Sequence, residues 1–216
     1  MLKCENIHKK YGDLPILKGI SLEVQDSEIV AIVGSSGAGK TTLLQILGTL
    51  DKPNEGIVEI NNVQVSQLNN KQISKFRNQD IGFVFQFHQL LPEFSALENV
   101  CIPGFIGKRN AKEVKKRAKE LLDYLGLKDR YQHKPSQLSG GEKQRVAVAR
   151  ALINSPSIVF ADEPSGNLDS ENSKDLYHLF DQIRKDFGIS FIIVTHDIEL
   201  SNLADRKITI SDGKLL

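Results

Sequence analysis

The sequence contains no tryptophan, only two cysteines and no apolar run of membrane-spanning length. The cysteines, Cys4 and Cys101, stand far apart, with no C-x-x-C pair and no histidine cluster nearby. We therefore expect neither a disulfide framework nor a zinc site, and a reducing cytosol fits this composition best. No window approaches the roughly 18 to 20 apolar residues that span a bilayer, and the first residues lack the apolar segment of a secretory signal. If the protein works at a membrane, another molecule must anchor it.

An excess of charge is also missing, because 28 basic residues are balanced by 27 acidic ones and leave a net charge of +1. The bulk composition gives no electrostatic reason for a nucleic-acid partner, and we predict none, although a balanced net charge leaves room for a local basic patch. Of the 216 residues, 40% are hydrophobic and 25% are charged, as in ordinary globular proteins. That length suits one domain, with room for an additional lobe.

Aromatic residues are scarce, yet four of the ten phenylalanines lie in one stretch, GFVFQFHQLLPEF, at residues 82–94. Residues 82–85 have the continuous apolar character of a strand that is covered on both faces. The remainder does not fit a strand, because Pro92 would interrupt it and a core would leave Gln86 and His88 unpaired. We therefore expect the strand to end before Gln86 and the apolar residues beyond it to have a different role.

Hydrophobic patterning predicts an α/β protein. Ile16, Ile20, Leu22 and Val24 stand among polar neighbours, which is typical of a half-exposed antiparallel sheet. The run EIVAIVG then leads through a glycine-rich turn into TTLLQILGTL, a pattern of strand, loop and helix. Further strands are predicted at 56–60, 81–85, 157–161, 190–194 and 206–210.

The character of the sequence changes to helical between residues 95 and 155. In AKEVKKRAKELLDYLGL, one face carries the apolar residues and Gly126 stands where a helix would stop. We interpret residues 87–155 as a helical subdomain inserted into a core formed by residues 1–86 and 156–216. The whole chain, 1–216, would be a single domain with a mainly parallel sheet and an N-terminal antiparallel β subdomain.

Residues 34–41, GSSGAGKT, match the phosphate-binding pattern G-x-x-x-x-G-K-[ST] between a predicted strand and a predicted helix. Its glycines let backbone N–H groups surround phosphate oxygens, Lys40 would reach the β and γ phosphates, and Thr41 would bind Mg²⁺. A turn that merely caps a helix is the alternative, which the filled fixed positions disfavour. The candidate contacts are Gly34, Ser35, Ser36, Gly37, Ala38, Gly39, Lys40, Thr41 and Thr42.

A predicted strand ends in two adjacent acids, Asp162 and Glu163, in SIVFADEP. Because side chains alternate along a strand, the two carboxylates should diverge at its tip. We predict that Asp162 holds the metal ion beside Thr41 and that Glu163 is the general base for a water in line with the γ-phosphate. Two acids at a strand end are otherwise more often a solvated terminus, and the phosphate-binding loop in the same chain reverses those odds.

A second helix N-terminus with exposed backbone donors is predicted at LSGGEKQR, residues 138–145. Such an end can bind an anion. The alternative is that Ser139 simply caps an ordinary helix. The candidate anion contacts are Ser139, Gly140, Gly141 and Glu142.

Taken together, these segments resemble the ATP-binding cassette (ABC) ATPases. Tyr11, GSSGAGKT, Gln86, LSGGEKQR, ADEP, SGNLD and VTHD occur in that family's order and rough spacing over essentially the whole chain. LSGG upstream of the strand ending in Asp-Glu separates this family from other P-loop NTPases, and the sequence has no N-K-x-D motif of a GTPase. The resemblance implies a P-loop NTPase fold, ATP and Mg²⁺ as cofactors, and ATP hydrolysis.

The resemblance also implies roles for individual residues. Two copies would pack head to tail, so that the LSGG segment of one faces the γ-phosphate of the ATP held by the other. Tyr11 would stack on adenine and Asp169 would lie at the dimer interface. Gln86 would contact Mg²⁺ and the attacking water, while His196 would hold the γ-phosphate. The implied catalytic set is Glu163, His196, Gln86 and Lys40.

Two departures from the family pattern, Glu142 for glutamine and Ser165 for threonine, look conservative.

Within the family, FQFHQLLPEFSALENVCIP and EPSGNLD are most similar to ATPases of lipoprotein-releasing systems. ATPases of macrolide exporters and of cell-division complexes share much of this segment and are the alternative. Separate transmembrane subunits and a place on the cytoplasmic face of the bacterial inner membrane are implied. Phe87, His88, Leu90 and Leu91 would then contact a short helix of a membrane subunit.

Two other classes fit the sequence less well. ABC ATPases that act on DNA carry long coiled coils, and those of ribosomes usually carry two cassettes, whereas this sequence has neither feature. A scaffold without useful turnover would lack the base or the histidine, and both are present here.

Overall fold

The structure, a computed structural model, describes residues 1–197 and 201–216, without the side chains at positions 170 and 171. The strands are β1 (Leu2–Tyr11), β2 (Leu14–Val24), β3 (Ile29–Val33), β4 (Glu55–Ile60), β5 (Val63–Gln64), β6 (Ile81–Phe85), β7 (Ile158–Asp162), β8 (Ser190–Val194), β9 (Arg206–Ser211) and β10 (Lys214–Leu215). The helices are α1 (Lys40–Leu47), α2 (Asn70–Asp80), α3 (Ala96–Ile106), α4 (Ala111–Tyr124), α5 (Gly140–Leu152) and α6 (Ser170–Phe187). Within the described ranges, no helix combines the length and the apolar character needed to cross a membrane.

The N-terminal strands form an antiparallel sheet in the order β2-β1-β4-β5. Leu2 of the central strand β1 pairs with Val24 on one side and with Ile60 on the other, and all three side chains are buried. Alternate residues face solvent, as the polar positions of β2 predict. The half-exposed antiparallel sheet expected from the sequence is therefore confirmed.

The second sheet has the order β10-β9-β3-β8-β7-β6, in which β9, β3, β8, β7 and β6 run parallel and β10 adds an antiparallel edge. Every residue of β8 is buried, which explains the continuous apolar run SFIIV. Because parallel strands have their carboxyl ends at one edge, the residues after β3, β6, β7 and β8 come together there. This edge places the phosphate-binding loop, Gln86, Glu163 and His196 on the same side of the sheet.

The helical region consists of α3, α4 and α5, which pack against one another, and α5 also packs against β6. The predicted apolar face of α4 is buried at Val114, Ala118, Leu121 and Leu122, and the chain turns at Gly126 with φ 73°. These buried residues share one hydrophobic cluster with Val84 and other side chains of the sheet. The subdomain boundaries at residues 87 and 155 stay a prediction.

Helices α2 and α6 were not predicted from the sequence. In α2 only Ile73 is buried, so the hydrophobic pattern is weak, and the helix starts with a capping box between Asn69 and Gln72. In α6 the signals were present, because Asp169 caps its first turn and Gly188, with φ 68°, ends it. Asp169, to which the family resemblance gives a place at a dimer interface, is thus also the N-cap of α6.

Candidate functional site

The glycine-rich loop joins the end of β3 to α1, which begins at Lys40. A Cβ on Gly34 would lie 2.2 Å from the carbonyl oxygen of Ile210, so the loop can follow this path only with glycine there. The Lys40 ammonium donates hydrogen bonds to the carbonyl oxygens of Gly34 at 2.8 Å and Ser35 at 2.9 Å. Since an ammonium has three donors, Lys40 can bind a phosphate oxygen while it holds the loop.

The loop borders a cleft of about 430 Å³ at the carboxyl edge of the parallel sheet. Glu163 and His196 line the other side of this cleft. Residues more than 100 positions apart in the sequence thus meet around a space that suits a polyphosphate. The lining residues are Ile16, Ser36, Gly37, Gly39, Lys40, Thr41, Thr42, Glu163 and His196.

Asp162, the last residue of β7, faces α1. Its carboxylate Oδ1 accepts a hydrogen bond from Thr41 Oγ1 at 3.2 Å. Burial raises the pKa of Asp162, and the charge of Glu163 adds to that effect, whereas the bond from Thr41 opposes it. A cation between Thr41 and Asp162 would relieve the cost of burying this carboxylate.

Glu163 turns its carboxylate away from Asp162 and towards His196. Its backbone has φ 47°, in the left-handed region that non-glycine residues seldom adopt, and its N–H donates to the carbonyl oxygen of Val194 at 2.9 Å. Carboxylate Oε2 lies 2.9 Å from Nδ1 of His196 and accepts the His196 backbone N–H at 3.3 Å. The His196 ring is 73% exposed, so its other edge can reach a ligand in the cleft.

Gln86 follows β6 directly, where Phe85 pairs with Asp162. Its side chain packs against Gly166, because a Cβ on Gly166 would lie 2.6 Å from Nε2 of Gln86. The backbone carbonyl oxygen of Gln86 accepts a hydrogen bond from Asn167 Nδ2 at 2.9 Å. The structure therefore places Gln86 beside the loop that follows Glu163. A direct contact of Gln86 with the metal ion stays a prediction.

Tyr11 is the last residue of β1, and half of its surface is exposed. A ring that stacks on a base needs such an exposed face. Its hydroxyl donates to Asp51 Oδ2 at 2.8 Å, and Lys9 Nζ lies 2.7 Å from the same oxygen and 5.0 Å from the ring centroid. The bond to Asp51 raises the pKa of Tyr11. Sequence reasoning missed Lys9 and Asp51, because no local pattern links Asp51 to a residue 40 positions earlier.

Ser139 caps α5 in a reciprocal arrangement with Glu142. Its hydroxyl oxygen accepts the Glu142 N–H at 3.2 Å, and its own N–H donates to Glu142 Oε2 at 2.7 Å. Arg130 donates to the other carboxylate oxygen at 2.7 Å, and the bond from Ser139 followed by that from Arg130 lowers the pKa of Glu142. The capping alternative therefore describes the local structure. Capping uses the oxygen of Ser139 only as an acceptor, so its O–H can still donate to an anion.

The N-terminus of α6 lies beside that of α5. Asp169 caps α6 by accepting the Asn172 N–H at 2.8 Å, and a Cβ on Gly141 would lie 3.4 Å from Asn172 Oδ1. Ser139 and Gly140 are exposed at this corner of the molecule. Asp169 and the LSGG segment are thus neighbours on one surface, and that surface does not line the cleft described above.

The chain after Gln86 forms an exposed loop. Phe87 is 74% exposed and Leu91 is 43% exposed, whereas Leu90 packs against the hydrophobic core. His88 is half-buried, and burial lowers its pKa. Arg150 of α5 fixes the loop by donating to the carbonyl oxygens of His88 and Gln89, each at 2.6 Å. The strand therefore ends at Phe85, as predicted, and Phe87 does not belong to the core.

A groove of about 460 Å³ runs beside this loop, between α2, β6, α3 and α5. Phe83, Phe85, Pro103 and Ile106 give it apolar walls, and Arg77 and Arg150 add positive charge. Its size and mixed character suit one or two turns of an amphipathic helix. Phe85 and Gln89 line this groove, and neither of them lines the cleft.

Comparison with known proteins agrees with this geometry, since the sequence model described as ABC transporter matches residues 17–166, more than half of the chain. The chain belongs to the ABC transporter family. This ABC protein is 58% identical over 216 residues to the lipoprotein-releasing system ATP-binding protein LolD of Bacteroides fragilis, covering 100% of both chains. It is 52% identical to the protein of the same name from Porphyromonas gingivalis, covering 100% of this chain and 98% of that one.

Solved structures of other cassettes resemble this ABC protein over its whole length. The dimeric post-hydrolysis state of the ATP-binding cassette MJ0796, bound to ADP and Pi, has a TM-score of 0.90 at 41% identity and covers 100% of this chain and 96% of that one. A second dimeric structure of MJ0796, described as a bacterial ABC transporter cassette, has a TM-score of 0.90 at 42% identity with the same coverage. The predicted fold class and family are confirmed.

Proposed function

We propose that this ABC protein is the ATP-hydrolysing subunit of a transporter that releases lipoproteins from the bacterial inner membrane. The observation that carries this proposal is the identity of 52% to 58% with LolD proteins over essentially their whole length. The cleft adds the physical support, because it combines a phosphate-binding loop with Glu163 and His196. The chain would work at the cytoplasmic face of that membrane.

ATP would lie with its phosphates in the glycine-rich loop and its adenine on Tyr11. Mg²⁺ fits beside Thr41 and Asp162, which offer the hard oxygen ligands that this ion prefers. In residues 1–197 and 201–216 no three His, Cys, Asp or Glu side chains cluster as an all-protein metal site. Mg²⁺ in nucleotide sites needs only one or two protein ligands besides phosphates and water. When bound, it would neutralise charge on the β and γ phosphates.

Hydrolysis would use Glu163 as general base. The Glu163 carboxylate would accept a proton from a water molecule, and His196, 2.9 Å away, would keep the carboxylate oriented. Lys40 and the N-terminus of α1 would stabilise charge on the phosphate oxygens. Binding or loss of the γ-phosphate would change the position of Gln86 and, through it, of the adjacent loop at Phe87.

The complete site would form between two copies of the chain. Ser139, Gly140 and Gly141 of one copy would bind the γ-phosphate held by the other, with Asp169 at the same interface. Ser139, Gly140 and Asp169 are exposed and Gly141 is partly exposed, and none of them lines the cleft of its own chain, which supports this arrangement. Loss of the γ-phosphate would remove their ligand and loosen the dimer.

Separate transmembrane subunits would dock through the groove. A short helix of such a subunit would place apolar side chains against Phe87, Leu90 and Leu91, next to His88. The loop is held to α5 by Arg150, so movement of the loop and of the helical region would be coupled.

Depletion of the chain in its own bacterium tests the function. We expect lipoproteins to accumulate in the inner-membrane fraction and the wild-type gene to restore their normal distribution. A gene encoding Glu163→Gln should not restore it. If lipoproteins stay correctly distributed on depletion, while export of another substrate or cell division fails, lipoprotein release is the wrong function.

A further inference from the structure

The end of α3 and the exposed side of α4 form a strongly basic surface. Residues 105–120 contain seven Lys and Arg and only two acids, a net charge of +5, while the whole chain has +1. The other 200 residues therefore carry −4. The positive charge of the chain is therefore concentrated in this segment, although the whole chain is nearly neutral. We call this surface the basic face and define it by Lys108, Lys112, Lys115, Lys116 and Lys119.

The geometry of α4 collects these lysines on one stripe. Positions 112, 115, 116 and 119 are spaced by three and four residues, so their side chains project from one side of the helix. The opposite side of α4 is buried through residues such as Val114 and Leu121. Every lysine of the basic face is exposed. In the part of the chain that the structure describes, one lysine of this stripe forms an ion pair: Lys116 Nζ lies 4.0 Å from Glu120 Oε1, and both side chains are exposed. Such an exposed pair contributes little to stability.

Two exposed apolar side chains border the lysines. Ile106 is 67% exposed and Phe105 is 42% exposed at the end of α3, and only Gly107 separates Ile106 from Lys108. Ile106 also lines the groove in which a membrane subunit would dock. The basic face is thus continuous with the surface that would point towards the membrane.

We propose that the basic face rests on the anionic lipid headgroups of the membrane surface, with Phe105 and Ile106 at the interface. Lysines are hydrated point charges on flexible stems, and the four in α4 are spread over about 10 Å of an exposed helix face. Such an array suits a diffuse negative surface better than the shaped acidic site of a protein. The inference rests on the membrane role proposed above, to which it adds a direct contact with lipid.

Vesicle sedimentation with the full-length protein tests this contact. We expect binding to vesicles in which about a third of the phosphatidylcholine is replaced by phosphatidylglycerol, and no binding to phosphatidylcholine alone. Salt at about 1 M, where the screening length is about 3 Å, should release the protein. The variant K112Q/K115Q/K116Q/K119Q should lose up to about a thousandfold in apparent affinity, since each lysine near an anionic surface contributes about 1 kcal/mol. A matched control, K18Q/K174Q/K207Q/K214Q, removes the same charge from exposed positions elsewhere and should bind as the wild type does.

A single fluorescent reporter gives an independent measurement. Because the chain has no tryptophan, Phe105→Trp introduces the sole tryptophan of the protein. Its emission should shift to the blue with anionic vesicles and stay unchanged with neutral ones. Both measurements need no transporter and no nucleotide.

Three results would overturn the lipid contact: equal binding to neutral and anionic vesicles, equal losses in the two quadruple variants, or no vesicle binding by the wild type. If only the basic-face variant also failed to co-purify with the membrane subunits, the partner of the lysines would be an acidic protein segment instead. Failure here leaves the proposed function standing, since ATP hydrolysis and rescue of the depleted strain are measured separately.

Discussion

At the scale of single residues, Glu163 shows how backbone conformation decides the task of a side chain. Its left-handed φ of 47° turns its carboxylate towards His196, while Asp162 faces Thr41. Alternation along a strand already predicts that the two carboxylates diverge. The sequence does not predict the left-handed turn, because Glu has no intrinsic preference for it.

Replacing Glu163 by Gln tests the general base. The amide keeps the shape of the side chain but cannot accept a proton at neutral pH, so we expect turnover to fall by about a hundredfold or more. ATP should still bind, and the protein should elute as an ATP-bound dimer in gel filtration. Glu59→Gln, which changes an exposed carboxylate of the antiparallel sheet outside the cleft and the LSGG segment, serves as control and should retain turnover. Near-normal hydrolysis by Glu163→Gln would remove Glu163 as the base.

A second test at this scale concerns the hydrogen bond from the Tyr11 hydroxyl to Asp51, which would hold the ring in position. Tyr11→Phe keeps the ring but loses the hydrogen bond to Asp51, and we expect KM for ATP to rise about threefold to tenfold with kcat unchanged. Asp51→Asn should have a similar effect, and the double variant should be little worse than either single one. Inhibition by inorganic tripolyphosphate, which has no base, should not change. An unaltered KM in both single variants would show that Asp51 does not position the ring.

At the scale of elements, the loop after β6 separates catalysis from docking. Phe87→Ser and Leu91→Ser remove exposed apolar surface, so they should leave thermal stability and basal ATPase activity unchanged while co-purification with the membrane subunits is lost. Ile57→Ser is the matched control, since Ile57 of the antiparallel sheet is 42% exposed, close to the 43% of Leu91. Unfolding of the loop variants, measured by circular dichroism, would mean that these side chains support the core instead.

Elements also differ in how well the sequence predicts them. The strands β3, β6, β7 and β8 and the helix α4 were predicted because burial imposes a clear apolar pattern on each. α2 buries only Ile73 and leaves almost no pattern. α6 buries Leu176, Tyr177, Phe180 and Ile183 at helical spacing, so its pattern was available and the cap at Asp169 marks its start.

At the scale of the whole molecule, the ATPase should require two copies of the chain. Lys40→Ala and Ser139→Ala each inactivate a different half of a composite site, so each variant alone should be nearly inactive. A mixture should regain activity, because a mixed dimer contains one site with both an intact loop and an intact LSGG segment. The measurement is the ATPase rate of the mixture against each parent. Mixtures that never exceed the parents would contradict the head-to-tail arrangement.

The sequence by itself determined the fold class, the family and most of the residues that line the cleft, with Ile16 as the exception. These follow from local patterns, since glycine spacing, apolar runs and the acids at a strand end all act within about ten residues. Residues such as Lys40, Asp162 and Glu163 could therefore be chosen before any distance was known.

Only the tertiary structure decided which residues meet. The parallel register brings Phe85 beside Asp162 and Asp162 beside Val194, so the ends of separate strands build one cleft. The same folding brings Asp51 within hydrogen-bonding distance of the Tyr11 hydroxyl and gathers the lysines of α4 on the side away from the core. Such contacts depend on packing between distant segments, which local patterns do not encode, and they set both the geometry of catalysis and the surfaces left for partners.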